Sequence, residues 1–368
     1  MRILLLVPES RNCPVLFRQL AQFFDTVLIG YAGEAPIVAK PVDFILADVR
    51  TSNAVAVANL RAILDKAGDS PRIGLINLEK RQEQVQAKAL GFAELWNEDF
   101  SLQDALEQMR SQIGDYSVPD LPADTPVATR ISVERLCATL DQIALSVMLD
   151  TQLPVTRMAE TVQLTLSALQ SDGLGAWMSA VQGHHSHTFR HSMMVTGYAI
   201  AFAKHLGASA EDLALLGVGA IVHDVGKVRI PLSILDKPGK LTREEFVQVK
   251  KHPVYSRMIL KGRPEICPDV LDLAVHHHEY LDGSGYPDGL SANEIDRRVR
   301  MLTICDIYSA LTEERAYKKA FSSRLAFATL LEMGSKIDQD LLQKFRPIAF
   351  RTDLGEVRRS AAPTAKTG

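Results

Sequence analysis

At 368 residues the chain is long enough for two or three domains, each with a core of its own. Its 46% hydrophobic and 23% charged residues and its formal net charge of −3 are ordinary for a soluble globular protein, and exclude a global charge basis for binding nucleic acid or a membrane surface. Four cysteines without a C-x-x-C pair suggest neither a disulfide framework nor a thiolate zinc site, and no apolar run of about 18 residues is present to span a membrane.

Over residues 1–115, short apolar runs alternate with amphipathic stretches. "ILLLV" (3–7), "TVLIGY" (26–31), "DFILADV" (43–49) and "RIGLINL" (72–78) predict buried parallel strands, because they are rich in β-formers and lack strict alternation. Between them "PVLFRQLAQFF", "AVANLRAILDKAG" and "QVQAKALGF" predict helices. "SLQDALEQMRSQI" adds a last helix, with Ser101 and Asp104 at capping-box spacing. Alternating β and α elements imply an α/β domain with an open parallel sheet. The apolar part of "MRILLLVPES" is too short for a signal peptide, so a cytoplasmic location is expected.

Residues 116–130, rich in proline, predict a linker. Over 131–183, Leu136, Leu140, Ile143 and Val147 repeat at helical spacing, as do Met158, Val162, Leu166 and Leu169. These connecting helices suit a homodimer seam or packing against the next domain. Residues 184–345 read as almost entirely helical, with helix starts at Ser209/Asp212, Thr242/Glu245 and Pro268/Asp269. Residues 346–368 read as a disordered tail.

All ten histidines lie between His184 and His278. His191, His223 with Asp224, His252, His277 with His278, and Asp306 interrupt otherwise apolar helices, each near an end of a different helix or turn. A single buried histidine is readily satisfied within a core, but this set requires many separate partners. Helices of a bundle can instead aim them at one place, and imidazole with carboxylate suits iron, manganese or zinc. Seven such ligands are too many for one tetrahedral ion and suit two ions sharing a carboxylate, a device for displacement at phosphorus.

The order of these residues resembles the HD metal-dependent phosphohydrolase superfamily. "HDVGKVRIP", "ILDKPGKLTREEF", "HHEYLDGSGYPDGL" (277–290) and "CDIYSALTEERAYKKAF" narrow the resemblance to the HD-GYP family, over residues 187–322. The family implies an all-α HD-type bundle and hydrolysis of cyclic di-GMP to pGpG or GMP in bacterial signalling, through water activated by two ions. Carried onto this chain, it implies His191, His223, Asp224 and Asp306 at one ion, with iron first and manganese or another transition metal next. Asp224, His252, His277 and His278 would hold the other ion, so Asp224 is the bridge. Lys227, Arg315 and Lys318 would meet phosphate, and Gly285 and Tyr286 would meet the ligand. Where some members place a glutamate for a third ion this chain has His187, so two ions are expected; His276 is left over as a spare.

The N-terminal half is similar in topology to response-regulator receivers. Asp48 falls where a receiver is phosphorylated, but "VPES" replaces the acidic pair, Asn77 replaces a Ser or Thr, and "LWNEDF" lacks the lysine. The expectation is a degenerate receiver that docks or dimerises. Partners are therefore cyclic di-GMP, and other signalling proteins through the GYP loop or the N-terminal domain. Two further readings stand beside the leading one: a phosphohydrolase for another cyclic dinucleotide or nucleotide, and a non-catalytic nucleotide-binding scaffold.

Overall fold

The computed structural model describes residues 2–9, 12–21, 24–33, 42–68, 70–113, 121–182, 187–235, 237, 239–314 and 320–351. The chain divides into two compact units, Met1–Tyr116 and Ser117–Gly368. The first carries β1 (Arg2–Val7), α1 (Val15–Leu20), β2 (Asp25–Gly30), β3 (Phe44–Asp48), α2 (Ala54–Lys66), β4 (Arg72–Ile76), α3 (Arg81–Ala89), β5 (Glu94–Asn97) and α4 (Leu102–Ile113).

All five strands are parallel, in the order β2-β1-β3-β4-β5. β1 is flanked on both sides, Leu4 pairing with Val27 and with Ile45. Ile3 to Val7 are each 1% exposed or less, which explains why this strand is an unbroken apolar run. The α/β sheet is the expected one, with one strand added. β5 was not among the predicted strands, because "ELWN" is short, begins with a charge and lies at the sheet edge.

Asp48 ends β3 and is 4% exposed. Arg50 grips its carboxylate, with Nε 2.8 Å from Oδ1 and Nη2 2.9 Å from Oδ2, while Nη1 donates to Glu98 at 2.6 Å. The hydrogen bonds to Asp48 hold the Arg50 guanidinium above its usual pKa, against the effect of burial.

The second unit is helical: α5 (Val127–Met148), α6 (Val155–Ser171), α7 (Leu174–Gln182), α8 (His187–His205), α9 (Ala210–Val222), α10 (Leu232–Leu235), α11 (Arg243–Val249), α12 (His252–Leu260), α13 (Pro268–His276), α14 (Arg297–Thr312), α15 (Ser323–Glu332) and α16 (Gln339–Ala349). Leu136, Leu140 and Ile143 of α5 and Met158 and Val162 of α6 share one buried core with Met193 to Ala203 of α8. Trp177 of α7 is fully buried, and its indole N–H donates to Ser132 Oγ at 3.0 Å.

Two element ends differ from expectation. Residues 127–130, expected in the linker, open α5, because Pro126 sits at its N-cap with a conformation that starts a helix. Residues 346–349, expected in the tail, close α16: Phe345, Ile348 and Ala349 are buried, and Tyr308 Oη donates to the Ala349 carbonyl at 2.7 Å. Phe350 caps that helix, and residues 352–368 of the expected tail lie outside the described residues. Among the described residues, no helix is long and apolar enough to cross a membrane.

Candidate metal centre

Five helices deliver the seven candidate ligands. His191 lies in the first turns of α8, His223 caps the C-terminus of α9, and Asp224 follows it into a 3-10 helix, Val225–Arg229. His252 is the first residue of α12, and His277 caps the end of α13 with His278 next. Asp306 differs from expectation: it lies inside α14, not near its end. Except for His278, which is half-buried, these residues are all 6% exposed or less. His191, His223 and Asp306 form one compact trio of donor atoms, and His252, His277 and His278 another; His223, Asp224 and His277 form a third that overlaps both.

Asp224 faces both halves of the set. Its Oδ1 is 3.2 Å from His252 Nε2, and its Oδ2 is 3.3 Å from His223 Nε2 and 3.8 Å from His191 Nε2. Asp306 Oδ1 lies 2.9 Å from His191 Nε2, and its Oδ2 lies 3.5 Å from His278 Nδ1. One oxygen per half is what a bridging carboxylate requires.

The backbone sets the tautomers. His223 Nδ1 lies 2.7 Å from the Ala220 carbonyl, His252 Nδ1 2.8 Å from that of Val249, and His277 Nδ1 3.2 Å from that of Ala274. A carbonyl only accepts, so each Nδ1 carries the proton and each Nε2 turns inward. His252 Nε2 and His277 Nε2 then confront each other at 3.3 Å. His223 Nε2 and His191 Nδ1 are buried without a hydrogen-bond partner among the described residues. Converging lone pairs and orphaned ring nitrogens are the donor chemistry of a cation site, so the residues fit divalent ions.

Burial depresses His252 to about 3 and His278 to about 4, and holds His277 well below its usual value, so these rings are neutral. Burial also opposes a charge on His223, but adjacent Asp224 outweighs it and raises the pKa. Burial alone would raise both carboxyls. Lys227 and His223 instead hold Asp224 well below the usual range, and the hydrogen bond from His191 with the nearby imidazoles does the same for Asp306. Two ionised carboxylates thus sit among imidazole lone pairs.

Lys227, expected at a phosphate, donates its ammonium to Asp224 Oδ2 and is one-fifth exposed. The chain reaches it through Gly226, whose missing side chain lets backbone meet backbone. A Cβ there would lie 1.9 Å from the His252 carbonyl oxygen and 2.6 Å from Ser256 N. That contact holds the Asp224 turn against the start of α12.

Tyr286 stacks on His278, ring centroids 4.8 Å apart, and Lys250 Nζ lies 4.3 Å from the Tyr286 ring centre. Burial, then the charges of Asp306 and Asp224, keep the Tyr286 phenol well above its usual pKa and so protonated. Tyr286 N donates to the His278 carbonyl at 3.1 Å, and a Cβ on Gly285 would lie 2.4 Å from Tyr280 N. Sequence reasoning missed the residue that ties down this loop. Glu279, 2% exposed, accepts from Asp288 N at 2.6 Å, Gly289 N at 3.0 Å and Leu290 N at 3.1 Å. Its signal was its place directly after the paired histidines.

His276 stands apart from the cluster, with Nδ1 2.5 Å from Asp272 and Nε2 2.9 Å from Asp288. Arg315 and Lys318 lie outside the described residues, as does the side chain of His187.

Residues 176–341 match the family model described as HD domain. The chain is 36% identical over 159 residues to a cyclic di-GMP phosphodiesterase of Pseudomonas aeruginosa, covering 43% of this chain and 38% of that protein. It is 41% identical over 136 residues to the cyclic di-GMP phosphodiesterase response regulator RpfG of Xanthomonas campestris pv. campestris, covering 37% and 36%. To 3'3'-cGAMP-specific phosphodiesterase 1 of Vibrio cholerae it is 40% identical over 138 residues, covering 37% and 31%. In each case the match spans well under two thirds of the relative's length. Among solved structures, an HDG"Y"P protein from Bdellovibrio bacteriovorus resembles the fold with a TM-score of 0.50 and 17% identity, covering 73% of this chain and 81% of that one. The segment that builds the histidine and aspartate centre falls within residues 176–341, the stretch that matches the HD domain model.

Proposed function

We propose that this protein is a metal-dependent phosphodiesterase that hydrolyses cyclic di-GMP to pGpG or onward to GMP. The observation that carries the reading is Asp224, which turns one oxygen to His252 and the other to His223 and His191. In this reading His191, His223, Asp224 and Asp306 hold one divalent ion, and Asp224, His252, His277 and His278 hold the second. Iron is the first candidate and manganese or another transition metal the next, since imidazole and carboxylate suit them all. When bound, such ions supply charge that a phosphodiester can lean on and an activated water.

The chain's own residues do the rest. Asp224 and Asp306 remain ionised in a dry setting, and the backbone carbonyls behind His223, His252 and His277 fix those rings before any ligand arrives. Lys227 Nζ lies against Asp224 Oδ2, where it can meet a phosphate oxygen. Tyr286 forms a wall next to His278 with Gly285 before it, and Arg315 and Lys318 are the further candidates for phosphate contact.

The test is hydrolysis of cyclic di-GMP by protein purified without oxygen and reconstituted with iron or manganese. Asp224→Ala should lose both bound metal and activity, and an Asp224→Ala protein with full activity would overturn the assignment. The 3'3'-cGAMP-specific relative motivates a parallel assay on that dinucleotide, and a preference for it would replace the substrate while keeping the chemistry.

A further inference from the structure

His223, His252 and His277 share one device: each gives its Nδ1–H to the carbonyl three residues earlier and keeps Nε2 for the centre. His191 has no such bond. Its Nε2 lies 2.9 Å from Asp306 Oδ1, and its Nδ1 is buried without a hydrogen-bond partner among the described residues. What faces that nitrogen is a carboxylate: Glu313 Oε2 is 3.9 Å from His191 Nδ1. Glu313 is 1% exposed and accepts from Arg190 Nε at 3.1 Å through its other oxygen, Oε1. Glu313 is the C-cap of α14, the residue directly after Thr312 and seven positions after Asp306. His191 is therefore flanked by two carboxylates from one helix, one at each ring nitrogen.

A neutral imidazole has one proton. If it stays on Nε2, facing Asp306, that nitrogen has no lone pair for an ion; if it lies on Nδ1, Nε2 is free to bind one. We propose that Glu313 is a positioning residue that accepts the proton of His191 on the Nδ1 side when an ion displaces the Nε2–H···Asp306 hydrogen bond, and so frees His191 Nε2 for the metal centre. With a shift that closes the 3.9 Å between them, Glu313 Oε2 would do for His191 what the carbonyls of Ala220, Val249 and Ala274 do for the other three rings. Carboxylates behind metal-binding histidines commonly act in this way, and their loss typically costs about 10–100-fold in metal affinity. This role rests on the metal-centre reading above and adds to it a residue outside the ligand set.

Manganese binding to the metal-free full chain, titrated by calorimetry, separates the two. Wild-type protein should take up two ions. Glu313→Met should weaken one of the two sites by about 10–100-fold, while Glu313→Gln, whose amide oxygen still accepts from Nδ1–H, should keep most of the affinity. Arg190→Met, which breaks the pair with Glu313 Oε1 but leaves the Glu313 carboxylate beside His191, is the structural control: metal binding weakened in it as much as in Glu313→Met overturns the proposal. So does a Glu313→Met protein that binds both ions as wild type does. A wild-type chain that binds fewer than two ions overturns the metal-centre reading itself, and this role with it. Nitrogen-15 spectra of the zinc-loaded protein give an independent readout: His191 should show its proton on Nδ1, and a proton on Nε2 overturns the role.

Discussion

His252 Nε2 and His277 Nε2 face each other at 3.3 Å with no proton between them, because each ring has already given its Nδ1–H to a backbone carbonyl. Two lone pairs held that close are unfavourable unless a cation lies within reach of both. The fold therefore bears a cost that divalent ions relieve. Chelation should lower the thermal midpoint, and adding manganese at about 100 times its Kd should contribute about 2.7 kcal/mol, or roughly 5–10 °C for a unit of this size. A midpoint indifferent to chelator and metal would contradict this account.

Gly226 holds the Asp224 turn against the start of α12 at a distance no side chain can share. Gly226→Ala should cost about 1–3 kcal/mol, read as a lower urea midpoint. It should also reduce the metal bound per chain, because His252 must shift with the carbonyl that the new methyl strikes. A variant with wild-type metal content and midpoint would mean that the backbone there yields freely.

Lys227 donates to Asp224 without belonging to the ligand set. In Lys227→Met, elemental analysis should find metal retained while kcat on cyclic di-GMP falls by about 100-fold, the scale expected for removing one preorganised charge from a transition state. Loss of metal together with rate would instead make Lys227 a support for Asp224.

Glu279 accepts three backbone N–H groups with two oxygens. Glu279→Gln replaces one of those oxygens with a donor, so at least one buried N–H loses its acceptor, at about 1–3 kcal/mol. Faster proteolysis within 279–290 and a lower urea midpoint are the expected signs. Unchanged cleavage would place the loop's rigidity elsewhere.

The elements that were legible in the sequence are those whose burial is written in a local residue pattern. The runs at 3–7 and 43–49 read as strands because a central parallel strand is apolar on both faces, and the helix starts at Ser209 and Thr242 read correctly because each supplies its own N-cap. "ELWN" carries too little apolar length to register as a strand, and the end of α16 was lost because Pro347 suggests a stop where buried Phe345, Ile348 and Ala349 carry the helix on. The residues the structure gathers around Asp224 stood out as polar interruptions of apolar helices. Glu279, Glu313 and Arg50 did not, because a charged residue in a polar stretch looks like any solvated one. Their buried contacts, with the backbone 9–11 residues ahead, with Arg190 and with Asp48, form only on folding.

The segment 279–290 has the composition of a hinge, yet its amides are pinned to Glu279 and its Tyr286 amide to the carbonyl of His278. It is better described as a splint that makes the paired histidines and the aromatic ring one solid piece. A ligand meeting that piece has no loop to order, so little of its binding energy is consumed in closing the site. Selection there works by rejection of poor shapes, in the way a mould rejects a casting that is slightly too wide.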